Sequence, residues 1–253
     1  MDGMDFEGRD GAALVVGGSG GIGRAIVRML AERGSDVVLT YRSRSEEAQR
    51  VAEEAASYGV HARALPLDLT SGDVADAVAD VGALHTLVYA AGPHVPMRHL
   101  SKVSVADMGT QLQADSLAFF SVATAALPAL RAAQGSIVAV TTAATSRFPI
   151  RDGLSSVPKA AVEATVRALA VEEGRFGVRV NCVGPGMLTD GMAERLISSG
   201  ELDERALEVT RGNIPLRRFG VAADIAEAVC FLASDRAGFI SGQKLDVDGG
   251  YGA

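Results

Sequence analysis

The sequence predicts an α/β fold in which a central, seven-stranded parallel sheet carries helices on both faces. Short apolar runs alternate with alanine-rich amphipathic stretches along all 253 residues, and this alternation is typical of a doubly wound sheet. Hydrophobic residues make up 48% of the chain and charged residues 22%, as in globular proteins with a large core. Gly34, Gly59 and Gly82 follow helical stretches, at positions where glycine commonly ends a helix.

Seven apolar runs predict the strands, because a parallel strand buried on both faces lacks polar alternation. They are AALVVGG from residue 12, DVVLTY from 36, ARALPLD from 62, LHTLVYAAG from 84, GSIVAVTT from 135, GVRVNCVGPG from 177 and QKLDVDGG from 243. Helical patterns predict helices over residues 21–34, 44–59, 73–82, 117–133, 159–177 and 223–235. The alternation breaks at 187–219, where we expect a substrate lid. Because no linker or repeat interrupts the chain, we expect one domain over residues 1–253.

The charge balance and the distribution of apolar residues exclude several classes of protein. A net charge of −7 and a pI of about 5.2 argue against general nucleic-acid binding. No apolar run approaches the roughly 18 residues of a membrane helix, and the acidic start MDGMDFEGRDG lacks the apolar segment of a signal peptide. Cys182 and Cys230 are expected to be buried thiols in a reducing compartment. We therefore expect a cytoplasmic location, and no metal site is predicted.

A glycine-rich loop follows the first predicted strand, in the stretch LVVGGSGGIGRAIVRMLAERG. Glycines at 17, 21 and 23 let the backbone approach a pyrophosphate closely, and the free N–H groups and dipole of the following helix attract its charge. The loop therefore predicts a Rossmann-type dinucleotide site, although a tight strand-to-helix turn would have the same pattern. The candidate cofactor-binding residues of this loop are Gly17, Ser19, Gly21, Ile22 and Gly23.

Further motifs along the chain resemble those of the short-chain dehydrogenase/reductase family, in its β-ketoacyl reductase-like branch. They include the spacing of Gly17, Gly21 and Gly23, the segments LDL from residue 67 and AAG from 90, and the C-terminal FISGQKLDVDGGY. The resemblance implies that the segment NCVGPG lies on the nicotinamide side. It also implies that Asp68 accepts a hydrogen bond from the adenine amine. The further cofactor-binding residues that it implies are Asp68, Leu69, Ala91, Gly92, Lys159, Pro185, Gly186 and Leu188.

The end of the second strand predicts which nicotinamide cofactor is preferred. A carboxylate that would bind the ribose 2′-hydroxyl of NAD is replaced by Tyr41, which is followed by Arg42 and Ser43. A guanidinium can form a forked, charge-assisted contact with a 2′-phosphate. We therefore expect NADP(H) to be preferred over NAD(H), unless these residues are only the solvated, basic start of a helix.

The family resemblance implies four catalytic positions, which are normally Asn, Ser, Tyr and Lys. In this chain they are occupied by Asp115, Thr142, Ser155 and Lys159. The lysine is kept, whereas the phenol that normally acts as general acid and base is absent. A second register, seven residues before the lysine, would place the tyrosine at Asp152. A serine hydroxyl is a far poorer acid than a phenol, so the proton must take another path if the chain is an enzyme.

Several of these residues also have a purely structural interpretation. Ser155 is a good helix cap, with a proline three residues later in the first turn. Asp115 could form a buried ion pair with Lys159 or lie on a solvated helix face. Tyr89 and His94 are alternative proton donors, but a tyrosine at a strand end is more often a packed residue and a lone loop histidine is more often structural. The hydroxyl of Thr142 could be satisfied by the backbone.

Two hypotheses about function follow from the sequence. The first is an NADP(H)-dependent oxidoreductase acting on a small molecule, in which Thr142 polarises the carbonyl and a water held by Ser155 and Lys159 delivers the proton, refilled through Asp115. The second is an inactive, cofactor-binding pseudoenzyme that acts as a regulatory or structural subunit. In either case the resemblance implies a homo-oligomer, a tetramer or dimer, paired through the apolar helices LAFFSVATAALPAL and AAVEATVRALAV.

Overall fold

The structure of the protein, a computed structural model, describes residues 4–71, 73–93, 95–189 and 204–253. Within these residues seven strands form one sheet with the order β3-β2-β1-β4-β5-β6-β7, and every neighbouring pair is parallel. The predicted α/β fold is therefore confirmed. The strands are β1 (Ala12–Val16), β2 (Asp36–Tyr41), β3 (Ala62–Pro66), β4 (Leu84–Tyr89), β5 (Ser136–Val140), β6 (Arg179–Pro185) and β7 (Lys244–Val247).

Helices cover both faces of the sheet, because neighbouring residues of each strand point to opposite sides. The helices are α1 (Gly21–Glu32), α2 (Ser45–Ala56), α3 (Val74–Ala79), α4 (Val105–Gln111), α5 (Ala118–Ala133), α6 (Gly153–Glu173), α7 (Glu204–Asn213) and α8 (Ala222–Ala233). Ala13 and Val15 of β1 pack with α1, α2 and α8, whereas Leu14 and Val16 pack with α3, α5 and α6. A π-helical turn, Leu112–Leu117, joins α4 to α5.

The strand order reverses direction between β1 and β4, because β1 also pairs with β2 on its other side. The chain leaves these two neighbouring strands toward opposite faces of the sheet, and a crevice opens between their carboxyl ends. The candidate residues of the glycine loop follow β1, and Ala91 and Gly92 follow β4. The topology therefore brings these two groups together.

Two predictions about helices are wrong. Helix α6 begins at Gly153 rather than at Lys159, because Pro158 lies inside the helix and not in its first turn. The stretch 105–133 is long and apolar enough to cross a membrane by length and composition, contrary to the expectation that no segment would be. Its buried residues, such as Phe119 and Val122 of α5, belong to the protein core, so it is not a clear membrane span.

The two ends of the predicted lid at 187–219 are joined to each other. Leu188 and Gly220 form an isolated parallel bridge, in which the N–H of Thr189 donates to the Gly220 carbonyl over 2.9 Å. Helix α7 lies between these ends, while residues 190–203 lie outside the described residues. Elsewhere, Cys182 and Cys230 are buried as predicted, and burial raises the pKa of each thiol to about 12.

Candidate active site

The glycine loop between β1 and α1 is packed too closely to accept side chains at several positions, of which Gly17 and Gly23 are examples. Gly17 has a φ of +81°, and a Cβ there would lie 2.9 Å from the Cα of Ala91. A Cβ on Gly23 would lie 2.3 Å from the carbonyl oxygen of Gly17. The buried hydroxyl of Thr40 accepts a hydrogen bond from the Gly17 N–H over 3.1 Å. The loop is thus fixed by glycine and by a threonine that the sequence analysis did not identify.

Helix α1 begins with backbone donors that have no acceptor in the described part of the chain. The N-cap residue is Gly20, which has no side chain to accept from the first turn. The N–H groups of Ser19, Gly21 and Ile22 form no hydrogen bond, and they lie at the positive end of the helix dipole. Such a set of donors beside a glycine cradle fits the pyrophosphate of a dinucleotide.

The adenine end of the predicted cofactor site is exposed and carries a free cation. Arg42 and Ser43 follow β2 directly and are both exposed, and Arg42 forms no ion pair with a described residue. Asp68 accepts hydrogen bonds from the backbone and hydroxyl of Thr70 through one oxygen. These bonds, with a smaller contribution from Arg42, lower the pKa of Asp68. The neighbouring Leu69 is half-buried, so the surface around Arg42 combines a positive charge with an ionised carboxylate.

The opposite end of the site is formed by the segment after β6. Pro185 ends that strand, and the N–H of Gly186 donates to the Val247 carbonyl over 3.0 Å. The side chain of Leu188 is buried, and its own N–H and carbonyl take no part in the bridge to Gly220. In the described residues that N–H has no acceptor, so Leu188 offers a backbone donor rather than a side-chain contact.

Lys159 lies at the centre of the predicted catalytic group and is engaged by the protein itself. Its ammonium nitrogen lies 3.0 Å from Oδ1 of Asp115, 3.3 Å from the Val140 carbonyl and 3.4 Å from the Ala91 carbonyl. The two ion-paired side chains are only 12% and 5% exposed. An ammonium has three hydrogens, so these acceptors can satisfy it fully. The predicted ion pair is present, and the alternative of a solvated Asp115 is wrong.

The π-helical turn before α5 holds Asp115 against β4. The hydroxyl of Tyr89 donates to the Asp115 backbone carbonyl over 3.2 Å, and its ring packs edge-on against Phe119. Tyr89 is fully buried, and burial, followed by Asp115, raises its pKa well above the usual 10. Tyr89 is therefore a packed residue at the strand end. Because its pKa is raised, its hydroxyl is a poor proton donor. His94 lies outside the described residues.

Thr142 and Ser155 differ in how much of their hydrogen-bonding capacity is free. The Thr142 hydroxyl accepts from the Ala144 N–H over 3.1 Å, which is the predicted backbone contact, and its own proton remains free to donate. The Ser155 hydroxyl forms no hydrogen bond with a described residue, and Ser155 is the third residue of α6 rather than its cap. The capping interpretation of Ser155 is therefore wrong, and the half-buried hydroxyl is free to accept and to donate.

Comparisons with known proteins match nearly the whole chain. A family model described as Enoyl-(Acyl carrier protein) reductase matches residues 16–252. A 3-oxoacyl-[acyl-carrier-protein] reductase of Staphylococcus epidermidis is 32% identical over 245 residues, which cover 94% of this chain and 98% of that protein. The versicolorin reductase stcU of Emericella nidulans is 32% identical over 248 residues, which cover 94% of each.

Solved structures show the same extent of similarity. A short-chain dehydrogenase/reductase from Serratia marcescens has a TM-score of 0.88 at 27% identity, and the match covers 98% of this chain and 100% of that one. A short-chain type dehydrogenase/reductase from Mycobacterium ulcerans has a TM-score of 0.88 at 28% identity, with 97% and 91% covered. The residues that the family model matches thus include the glycine loop, the candidate catalytic segment and the last strand.

Proposed function

Because this chain belongs to the short-chain dehydrogenase/reductase family of oxidoreductases, we propose that it interconverts a carbonyl and an alcohol on a small molecule with NADP(H). One observation carries the proposal: the glycine cradle with its unsatisfied donors lies at the same sheet edge as Lys159 and Thr142. Lys159 contacts the ends of both β4 and β5 through Ala91 and Val140. The cofactor site and the free hydroxyls of the candidate catalytic group therefore face one crevice.

The residues present fit a dinucleotide at each of its parts. The donors of Ser19, Gly21 and Ile22 would hold the pyrophosphate, and the backbone of Leu188 would bind the nicotinamide carboxamide. When bound, the cofactor supplies or accepts the hydride. Arg42 supports a preference for NADP(H), because it is free to pair with a 2′-phosphate. One oxygen of the Asp68 carboxylate already accepts two hydrogen bonds from Thr70.

We place the substrate oxygen between the free hydroxyls of Thr142 and Ser155. Thr142 keeps its proton for donation, so it can stabilise negative charge that develops on that oxygen. Ser155 can pass on a proton, because its hydroxyl has no partner among the described residues. A water shared with Lys159 would join this path by replacing one of the two backbone carbonyls that the ammonium now contacts. Asp115 neutralises Lys159 and is nearly inaccessible, so its main contribution is to hold the ammonium rather than to exchange protons with solvent.

The same ion pair favours a second candidate function, that of a cofactor-binding pseudoenzyme with a regulatory or structural role. An ammonium that is neutralised and satisfied by the protein cannot strongly lower the pKa of a neighbouring acid. The absence of a tyrosine phenol at position 155 also favours the pseudoenzyme. A functional cofactor site is compatible with both candidates, so only turnover separates them.

Other properties of the protein are proposed from the relatives and the sequence. The chain forms one domain, acts in the cytoplasm on a small molecule, and assembles as a dimer or tetramer. Neither nucleic acid nor a membrane is a partner. The lid around residues 187–219 covers the substrate.

The proposal is tested by following NADPH oxidation with a panel of ketones and 3-oxoacyl thioesters. We expect turnover by the wild type, and a 10²–10⁴-fold lower kcat in Ser155→Ala with nearly unchanged NADPH affinity. Ser57→Ala, on the exposed end of α2, is the matched control and should behave as the wild type. A protein that binds NADPH tightly and turns over no substrate in either direction would support the pseudoenzyme instead.

A further inference from the structure

We propose that Asp152 is the proton source of this site and that it reaches the substrate oxygen through the hydroxyl of Ser155. This inference rests on the proposed oxidoreductase function and names the group that function lacks. Ser155 and Lys159 lie three and seven positions after Asp152 along α6. At 100° per residue, positions separated by three and seven share one face of a helix. Ser155 and Lys159, four positions apart, therefore share one face of α6, and Asp152 is the N-cap residue that immediately precedes the helix.

Asp152 and Ser155 occupy positions whose side chains are normally within reach of each other. Asp152 is the N-cap of α6 and Ser155 is its third residue, the pair that exchanges hydrogen bonds in a capping box. Here the two backbones do meet, because the Ser155 N–H donates to the Asp152 carbonyl over 2.9 Å. Neither side chain forms a capping bond. The carboxyl and the hydroxyl each lack a partner among the described residues and form no hydrogen bond with each other, so the relay needs one side chain to rotate toward the other when substrate binds.

The backbone entering α6 explains why the carboxyl does not cap the helix. An N-cap residue is usually extended, whereas Asp152 has φ −95° and ψ 0°. The preceding Arg151 has a φ of +73°, a conformation that a non-glycine residue rarely adopts. It is held there because its carbonyl accepts from the Arg98 N–H over 2.9 Å and its guanidinium donates to the Met97 carbonyl over 3.1 Å. The loop before α4 therefore fixes this turn.

No cation pairs with Asp152 in the described residues, although several lie on the elements around it. Arg98 pairs with Asp107, and Lys159 with Asp115. The guanidinium of Arg151 donates to a backbone carbonyl. Lys102 belongs to the short helical turn whose Leu100 packs against Gly153. Burial without a counter-charge raises the pKa of Asp152 to about 6.

An acid of this kind supplies what the other groups at the site cannot. After the carbonyl carbon gains a hydride, the former carbonyl oxygen carries a negative charge and needs one proton. The Ser155 hydroxyl gives its proton to that oxygen and takes one from the Asp152 carboxyl, so one O–H bond breaks for each that forms. Asp152 is left as a carboxylate, which water reprotonates. In the oxidative direction the same protons move the other way.

The pH dependence of kcat/KM tests this assignment. Reduction needs the protonated acid, so we expect its rate to fall as pH rises through about 6, while oxidation rises over the same range. In Asp152→Asn we expect kcat/KM for reduction to fall at least 10²-fold and no longer to decrease as pH rises through about 6. The affinity for NADPH should be unchanged. Asp152→Glu keeps a carboxyl at this position, so it should recover both the activity and the decrease in kcat/KM through about pH 6. Asp80→Asn, at the exposed end of α3, is the matched control.

Thermal unfolding gives a readout that needs no substrate. A carboxyl whose folded pKa is raised contributes stability at low pH that is lost as pH rises through about 6. Asp152→Asn should therefore raise the melting temperature at pH 8, and this gain should disappear at pH 4. A gain that does not depend on pH would overturn the inference. The inference would also be overturned if Asp152→Asn kept wild-type activity and the same decrease in rate through about pH 6. That result would leave the proposed oxidoreductase function intact. Absence of any wild-type turnover would instead overturn both.

Discussion

The ammonium of Lys159 lies 3.0 Å from the carboxylate of Asp115, and both side chains are almost inaccessible to water. The family resemblance implies an asparagine at position 115 and a tyrosine at 155. A lysine beside a neutral amide can lower the pKa of a phenol, whereas a lysine paired with a carboxylate loses most of that effect. We therefore propose that the ion pair and the absence of a phenol at position 155 act in the same direction, because each removes part of the phenol-and-lysine arrangement that the resemblance implies.

Removal of one partner of this buried pair should destabilise the fold. In Asp115→Ala the ammonium of Lys159 stays buried without its counter-charge, which typically costs about 3–5 kcal/mol. We expect a loss of that size in the free energy of unfolding, measured by urea denaturation. The double variant Asp115→Ala with Lys159→Met should lose clearly less than the sum of the single changes. Additive losses would show that the two charges do not interact.

Installation of the phenol should depend on the residue at position 115. We expect Ser155→Tyr alone to give a small gain in the reduction of an activated ketone with NADPH. In Ser155→Tyr with Asp115→Asn the lysine is free to lower the pKa of the new phenol, so activity should rise about ten-fold further, the equivalent of one pKa unit. The measurement is kcat/KM of the two variants side by side. Equal values would mean that Asp115 does not restrain Lys159.

Cofactor preference should depend on Arg42. We expect NADPH to bind at least about ten-fold more tightly than NADH, because a charge-assisted contact contributes roughly 1.5–3 kcal/mol. Fluorescence titration of Arg42→Ala should show weaker NADPH binding with NADH unchanged. Arg50→Ala is the control, since Arg50 is exposed on α2 and pairs with Glu47 instead. An NADH preference in the wild type would contradict the assignment.

Assembly should depend on the outer side of α5 and the turn before it. Leu117 and Phe120 are 57% and 49% exposed there, which is unusual for large apolar side chains so close together. Light scattering should give the mass of two or four chains of 26.1 kDa, and Phe120→Glu should shift it toward one. The control Ala56→Glu adds the same charge on α2. A wild-type monomer at micromolar concentration would contradict a homo-oligomer.

The sheet could be predicted from the sequence because each strand is a short apolar run bounded by glycine or polar residues. The helices were harder to place. Helix α4 has no buried residue, so no apolar stripe marks it, and the π-helical turn that follows changes the rotation that regular periodicity assumes. The sequence predicts too late a start for helix α6, because Pro158 suits the first turn of a helix but lies further inside this one.

The candidate site could be predicted only where its residues belong to local motifs. The glycine loop and Lys159 are of this kind. The pairing of Asp115 with Lys159 joins residues 44 positions apart, and the sequence left it as one of two alternatives. In the sequence, Asp152 stands out only as the position where a second register would place the missing tyrosine. Its burial arises where the loop at Met97 and Arg98 meets the start of α6, and such a contact leaves no local pattern.

Transfer of deuterium from the cofactor to a product tests the central proposal, that this site still performs carbonyl reduction, most directly. The protein is mixed with NADPH deuterated at the transferable position of the nicotinamide and with the ketone and thioester panel, and the products are analysed by mass spectrometry. We expect at least one alcohol to carry one deuterium at the former carbonyl carbon, in an amount that Ser155→Ala strongly reduces. Tight binding of the labelled cofactor, with no deuterium in any product of the wild type, would contradict the account.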